Sequence, residues 1–186
     1  MKLRTALFTC IFVFVFAVTS FAAINITNRT GTIQITMPDG TIVTVAANQP
    51  LPVIPEGASI SIVSGTAQVS ATAGSQVQVS VGTTNVQVTT GSTVNLALNE
   101  TTGSANVQSV AGSVSVTTAN GTNATLNTGD AVQVAVDNAA GSATLTATAG
   151  SVSVTTGDGN IATLNSGDAV MVTVDAATGS GTLVVE

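Results

Sequence analysis

Residues 112–149 read GSVSVTTANGTNATLNTGDAVQVAVDNAAGSATLTATA, and residues 150–186 read GSVSVTTGDGNIATLNSGDAVMVTVDAATGSGTLVVE. Of the 37 positions that align, 24 are identical. A tandem repeat of this length bears on architecture before any single residue is interpreted. The period of 38 extends upstream: it separates Gly74, Gly112 and Gly150, and likewise Gly91, Gly129 and Gly167, and Gly103, Gly141 and Gly179. An irregular copy precedes these, so four units are expected at 31–73, 74–111, 112–149 and 150–186. Each unit also divides in two. Val114-x-Val116 followed by Ala124-Thr125-Leu126 is echoed by Val132-x-Val134 followed by Ala143-Thr144-Leu145, a half-period of about 19 residues holding two short strands.

Apolar and polar residues alternate through nearly all of residues 58–186, with Gly, Asn, Asp and Ser between the runs. That pattern predicts strands, and the frequent glycines oppose a helix. Val114, Val116, Leu126, Val132, Val134, Val136 and Leu145 form the expected apolar face of the third unit. Upstream, TIQIT and TIVTV flank Met37-Pro38-Asp39-Gly40, a hairpin turn in which Pro presets φ and Gly accepts its positive value. Residues 46–57 hold three of the four prolines, which withhold donors from a ladder and predict an irregular loop. The expected fold is all-β, a four-unit β-solenoid; the alternative is a β-sandwich of packed hairpins. Residues 24–57 would form a strand, hairpin and Pro-rich loop capping the regular array at 58–186.

Residues 1–23 read differently. Lys2 and Arg4 precede an apolar run over 6–18, and small residues follow at Ser20, Ala22 and Ala23. This is the pattern of a secretory signal peptide. The run is shorter than the roughly 20 residues of a membrane span, which disfavours an uncleaved anchor. Export to the periplasm or cell surface of a bacterium is therefore expected, with no membrane span left after cleavage. All five Phe, the only Cys and the only Lys lie in this segment. The remainder carries one cation, Arg29, against nine carboxylates, and has no aromatic residue and no His.

That inventory excludes whole classes of function. Nucleic acid calls for a basic footprint and stacking rings, and an anionic membrane surface calls for positive charge. Serine and threonine abound, but no His or Lys could activate one as a nucleophile. Paired carboxylates would lack an aromatic ring to seat a sugar. No enzyme activity, catalytic residue or cofactor is expected. The core can hold only aliphatic side chains and Met, and no disulfide can reinforce it.

The unit G-x-V-x-V-x(4)-G-x-x-A-x-L-x-x-G-[DS]-x-V-x-V resembles the FecR domain family. It is carried by Gly112, Val114, Val116, Gly121, Leu126, Gly129, Asp130, Val132 and Val134, and again from Gly150 to Val172. The resemblance implies an exported, solenoid-like β domain that binds a protein or cell-envelope partner and does not catalyse. The sensors of that family carry an anti-sigma segment and a membrane helix ahead of the β domain. Here the signal-like segment stands in that place, so the module is implied and the signalling role is not. A self-assembling structural or adhesin-like subunit is the alternative.

Candidate binding residues come from breaks in the pattern. Insertions in repeat arrays often map to a binding face, which singles out Gln49, Leu51, Val53, Ile54 and Glu56 in the Pro-rich loop. Leu183 and Val185 lie in the last strand, whose edge no Lys or Pro protects; it could receive a partner strand or a second copy. Asp130 and Asp168, and Asp137 and Asp175, recur at the period. In a solenoid each pair would stand one strand spacing apart, ~4.8 Å, and could share Ca²⁺. Ser92 and Asn99 interrupt the ladder in the second unit, so solvated turn carboxylates are the favoured reading.

Overall fold

A computed structural model describes residues 24–72, 74–175 and 180–185. The proposed signal peptide, Gly179 and Glu186 lie outside the described residues. The strands, in order, are β1 (Ile24–Thr27), β2 (Thr32–Thr36), β3 (Ile42–Ala46), β4 (Ser59–Ile62), β5 (Gly65–Ala71) and β6 (Val77–Val81). There follow β7 (Thr84–Val88), β8 (Thr93–Leu98), β9 (Ala105–Ala111), β10 (Val114–Thr118), β11 (Asn123–Leu126) and β12 (Ala131–Asp137). The last five are β13 (Ser142–Ala149), β14 (Ser151–Thr155), β15 (Ile161–Asn165), β16 (Ala169–Val174) and β17 (Gly181–Val185). No helix occurs among the described residues.

The strands form two sheets packed as a sandwich. One has eight strands in the order β1-β5-β8-β9-β12-β13-β16-β17, the other nine in the order β15-β14-β11-β10-β7-β6-β4-β2-β3. From β6 onward the chain lays down a hairpin in one sheet, crosses, and lays down the next in the other. Each half-period of about 19 residues corresponds to one hairpin, and Gly74, Gly112 and Gly150 precede the hairpins of the nine-stranded sheet.

The solenoid expectation is thereby corrected to the sandwich of hairpins. A solenoid sets equivalent strands side by side and parallel. Here every pairing is antiparallel except β4 with β6, and equivalent strands are second neighbours: β13 separates β12 from β16. The physical cause is the short turns. Residues 119–122 return β11 directly beside β10, with Gly121 N donating to Thr118 O at 3.0 Å and Thr118 N to Thr122 O at 2.9 Å. Alternation alone is common to both architectures.

Inward positions are aliphatic in both sheets. Ile33, Ile60, Leu96, Leu126, Leu145 and Leu164 are fully buried, and the buried residues form one core cluster between the sheets. Of the face expected in the third unit, only Val136 is partly exposed; the others are buried. Complete burial of one such side chain stabilises by roughly 1.5–3 kcal/mol. The crossing between sheets needs glycine at one recurring point. At Gly112 (φ 74°) a Cβ would lie 2.4 Å from Ser92 Oγ, and at Gly150 (φ 71°) 1.9 Å from Asp130 Oδ1. Neither the left-handed backbone nor the space admits a side chain.

Candidate docking surface

The sandwich ends, at its C-terminal side, on β15 in one sheet and β17 in the other. Each has a single partner among the described strands, β14 and β16 respectively. Antiparallel register fixes which way their side chains turn. Ile161 lies opposite Thr155 and faces outward. Val185 lies opposite the buried Val170 and so faces the core, yet it is 60% exposed, with no described strand beyond β17. Ile161 and Val184 are likewise exposed, Ile161 at 68%. Leu183, opposite Val172, is packed against the core.

The two edges are tied together by one carboxylate. Asp158, in the turn between β14 and β15, accepts from Thr156 Oγ1, from Asn160 Nδ2 at 3.1 Å and from Gly181 N at 3.1 Å. Asn160 Nδ2 also donates to Gly181 O at 3.2 Å. The hydrogen bond from Thr156, then that from Gly181, hold the Asp158 carboxyl below the usual carboxylate range, because each favours the ionised form. A turn of the nine-stranded sheet is thus strapped to the start of β17 in the other sheet, and both open edges keep one relative position.

At the opposite end the outermost strands are β1 and β3. Arg29 follows β1, and its Nη2 donates to Ala46 O at 2.9 Å, Ala47 O at 3.1 Å and Gln49 O at 2.6 Å. Its Nε and Nη1 are buried without a hydrogen-bond partner. The Pro-rich loop is partly folded into the core: Ile54 is buried and Leu51 packs against the cluster. Gln49 Oε1 accepts from Ala46 N at 3.1 Å. Of the five loop candidates, Gln49, Val53 (87%) and Glu56 are exposed.

The aspartates do not stand as one ladder. Asp130 and Asp168 precede β12 and β16, so two strand spacings separate their strands, roughly 9.6 Å, rather than the single spacing expected. Asp130 is also not a solvated turn residue. It is 8% exposed, and its carboxylate accepts from Asn127 N at 2.8 Å and Ser151 N at 3.0 Å. It clasps its own turn to the start of β14. Asp168 accepts from Asn165 N at 2.9 Å and is half-buried. Asp137 accepts from Ala139 N and Ala140 N within its exposed turn, and Asp175 is exposed. No group of three or more His, Cys, Asp or Glu able to hold a metal occurs among the described residues.

Sequence reading missed Ile161, Val184 and Asp158. The two apolar residues sit in ordinary strand runs, and only the strand order shows that no described strand lies beyond them. It also missed a row on the outer face of the eight-stranded sheet: Thr27 Oγ1 donates to Gln68 Oε1 at 3.0 Å, Gln68 Nε2 to Asn95 Oδ1 at 2.9 Å, and Asn95 Nδ2 to Gln108 Oε1 at 3.2 Å. Gln68, Asn95 and Gln108 of this row line a shallow hollow of about 440 Å³ across β5, β8 and β9. Its side chains satisfy one another and lock neighbouring strands, and it carries no charge.

No protein-family model matches the chain, and no curated protein is similar to it in sequence. Two crystal structures of a Parabacteroides distasonis protein, described as a "putative anti-sigma factor", are similar to it in fold. Both are 18% identical over 78% of this chain, with TM-scores of 0.42 and 0.39. The chain spans 61% and 60% of the length of those structures.

Proposed function

We propose that this chain is an exported, non-catalytic β-sandwich module that binds a protein or cell-envelope component by strand addition at the end formed by β15 and β17. The observation that carries the reading is the coincidence there of two open edges with exposed Ile161, Val184 and Val185. Unpaired backbone groups supply the hydrogen bonds of an added strand, and the apolar residues supply area to cover. The lack of His, Lys, Cys and aromatic residues in 24–186 supports a binding role over chemistry. The signal-like residues 1–23 support export, and the unit around Gly112 and Gly150 supports kinship with FecR domains.

A photocrosslinking side chain placed at Val184 tests the reading in cells. The expected result is one dominant adduct at Val184 and none at Thr125, an exposed position on the interior strand β11 of the nine-stranded sheet. Absence of an adduct at Val184, or the same adducts at both positions, overturns it. The adduct mass separates a foreign protein from a second copy of the chain.

A further inference from the structure

We infer that the occupant of the β15/β17 end is the β3/β1 end of a second copy, so that both sheets continue from one molecule into the next. The inference rests on the docking reading above and deepens it.

Strand direction comes first. From β1 to β17 the eight-stranded sheet passes seven antiparallel pairings, so β17 runs opposite to β1. From β3 to β15 the nine-stranded sheet passes eight pairings, but β4 and β6 are parallel, so seven reversals remain. β15 therefore also runs opposite to β3. A second copy advanced along the sandwich in the same orientation presents β1 to β17 and β3 to β15, and both junctions are antiparallel. Had β4 and β6 been antiparallel, one junction would match and the other would not.

The side chains agree with this register. β3 and β15 read IVTVA and IATLN and share one burial pattern along their length. Paired antiparallel and in register, Val43 and Val45 of one copy oppose Leu164 and Ala162 of the other on the core side. Thr44 opposes Thr163 on the outer side, so no side chain changes face. Val185, core-facing but open to water, gains a cover that the described residues of its own chain do not supply.

Charge agrees as well. In this arrangement the end of β1 and the end of β3 meet the beginnings of β17 and β15. Arg29, the one cation among the described residues, sits beside the former pair, bonded to Ala46 O. Asp158 sits beside the latter, bonded to Gly181 N. The cation of one copy thus faces the carboxylate of the next. Such a contact joins unlike surfaces, does not close on itself, and propagates as a filament.

Two blocked variants test this. Ile161→Lys with Val185→Lys places a cation on both edges of the C-terminal end; Asn25→Lys with Ile42→Lys does so at the other end. All four positions are exposed, and far-UV circular dichroism checks each fold. If Val185→Lys loosens β17, Val184→Lys replaces it. Sedimentation velocity with interference optics should show wild-type protein growing in mass with concentration. Each variant alone should stay monomeric, and a 1:1 mixture should give dimers and nothing larger, because one intact end remains on each. Wild-type protein that is monomeric at every soluble concentration overturns the inference, as does normal growth of either variant or a mixture that forms no dimer. The docking reading survives such a failure if Val184 still crosslinks to a foreign protein, and fails with it if Val184 crosslinks to nothing.

Discussion

Asp130 acts at the scale of one residue and holds two turns at once. Both of its carboxylate oxygens accept backbone N–H groups, from Asn127 and Ser151, at a site 8% exposed. Removing the acceptors strips two part-buried backbone donors of their partners, at about 1–2 kcal/mol each, the lower part of the range for an unsatisfied donor. Asp130→Ala should therefore lose about 2–4 kcal/mol, roughly 5–15 °C of Tm for a domain of this size. Asp168→Ala, half-buried and holding Asn165 N, should lose less than half as much. Thermal unfolding followed by circular dichroism measures both; equal losses would refute the clasp. The recurrence of Gly-Asp was legible in the sequence, but the burial of Asp130 was not. It depends on Gly150, 20 residues away, leaving room where a Cβ would collide.

At the scale of elements, the Asp158 strap joins the β14–β15 turn to β17, and its strength depends on ionisation. The carboxyl is held below its ordinary value of 3.8 by Thr156 and Gly181, so its contribution is present above that value and fades as pH falls through the lower folded one. Hydrogen exchange at the Gly181 amide should thus remain slow at pH 4, relative to the intrinsic rate, and become fast only below 3.8. Asp158→Asn should remove this pH dependence. An opening centred above pH 4 would mean that the hydrogen bonds to the carboxylate are not formed. The Pro-rich loop belongs to the same scale. Its prolines marked it as irregular in the sequence, whereas the insertion of Ile54 into the core and the bonds from Arg29 to Ala46, Ala47 and Gln49 depend on contacts across 17 to 20 residues.

At the scale of the whole molecule, two sheets of eight and nine strands enclose one aliphatic core. The described residues include no aromatic residue, since every Phe lies within residues 1–23. The proposed export has a direct physical signature. Intact mass of the exported protein should correspond to a chain beginning at Ala23 or Ile24, and its absorbance at 280 nm should be close to zero. A mature species retaining residues 1–22 would refute cleavage.

The sequence by itself determined strand identity, the turns and the aliphatic character of the core. These are local properties, set by side-chain alternation and by glycine and proline along the chain. It did not choose between a solenoid and a sandwich, because Val114 and Val116 alternate identically in either; the choice lies in whether a turn such as 119–122 returns a strand beside its predecessor. Nor could it reveal the open edges at β15 and β17 or the parallel pair β4–β6. Those are facts of strand order, and strand order exists only once distant segments have paired across a shared core.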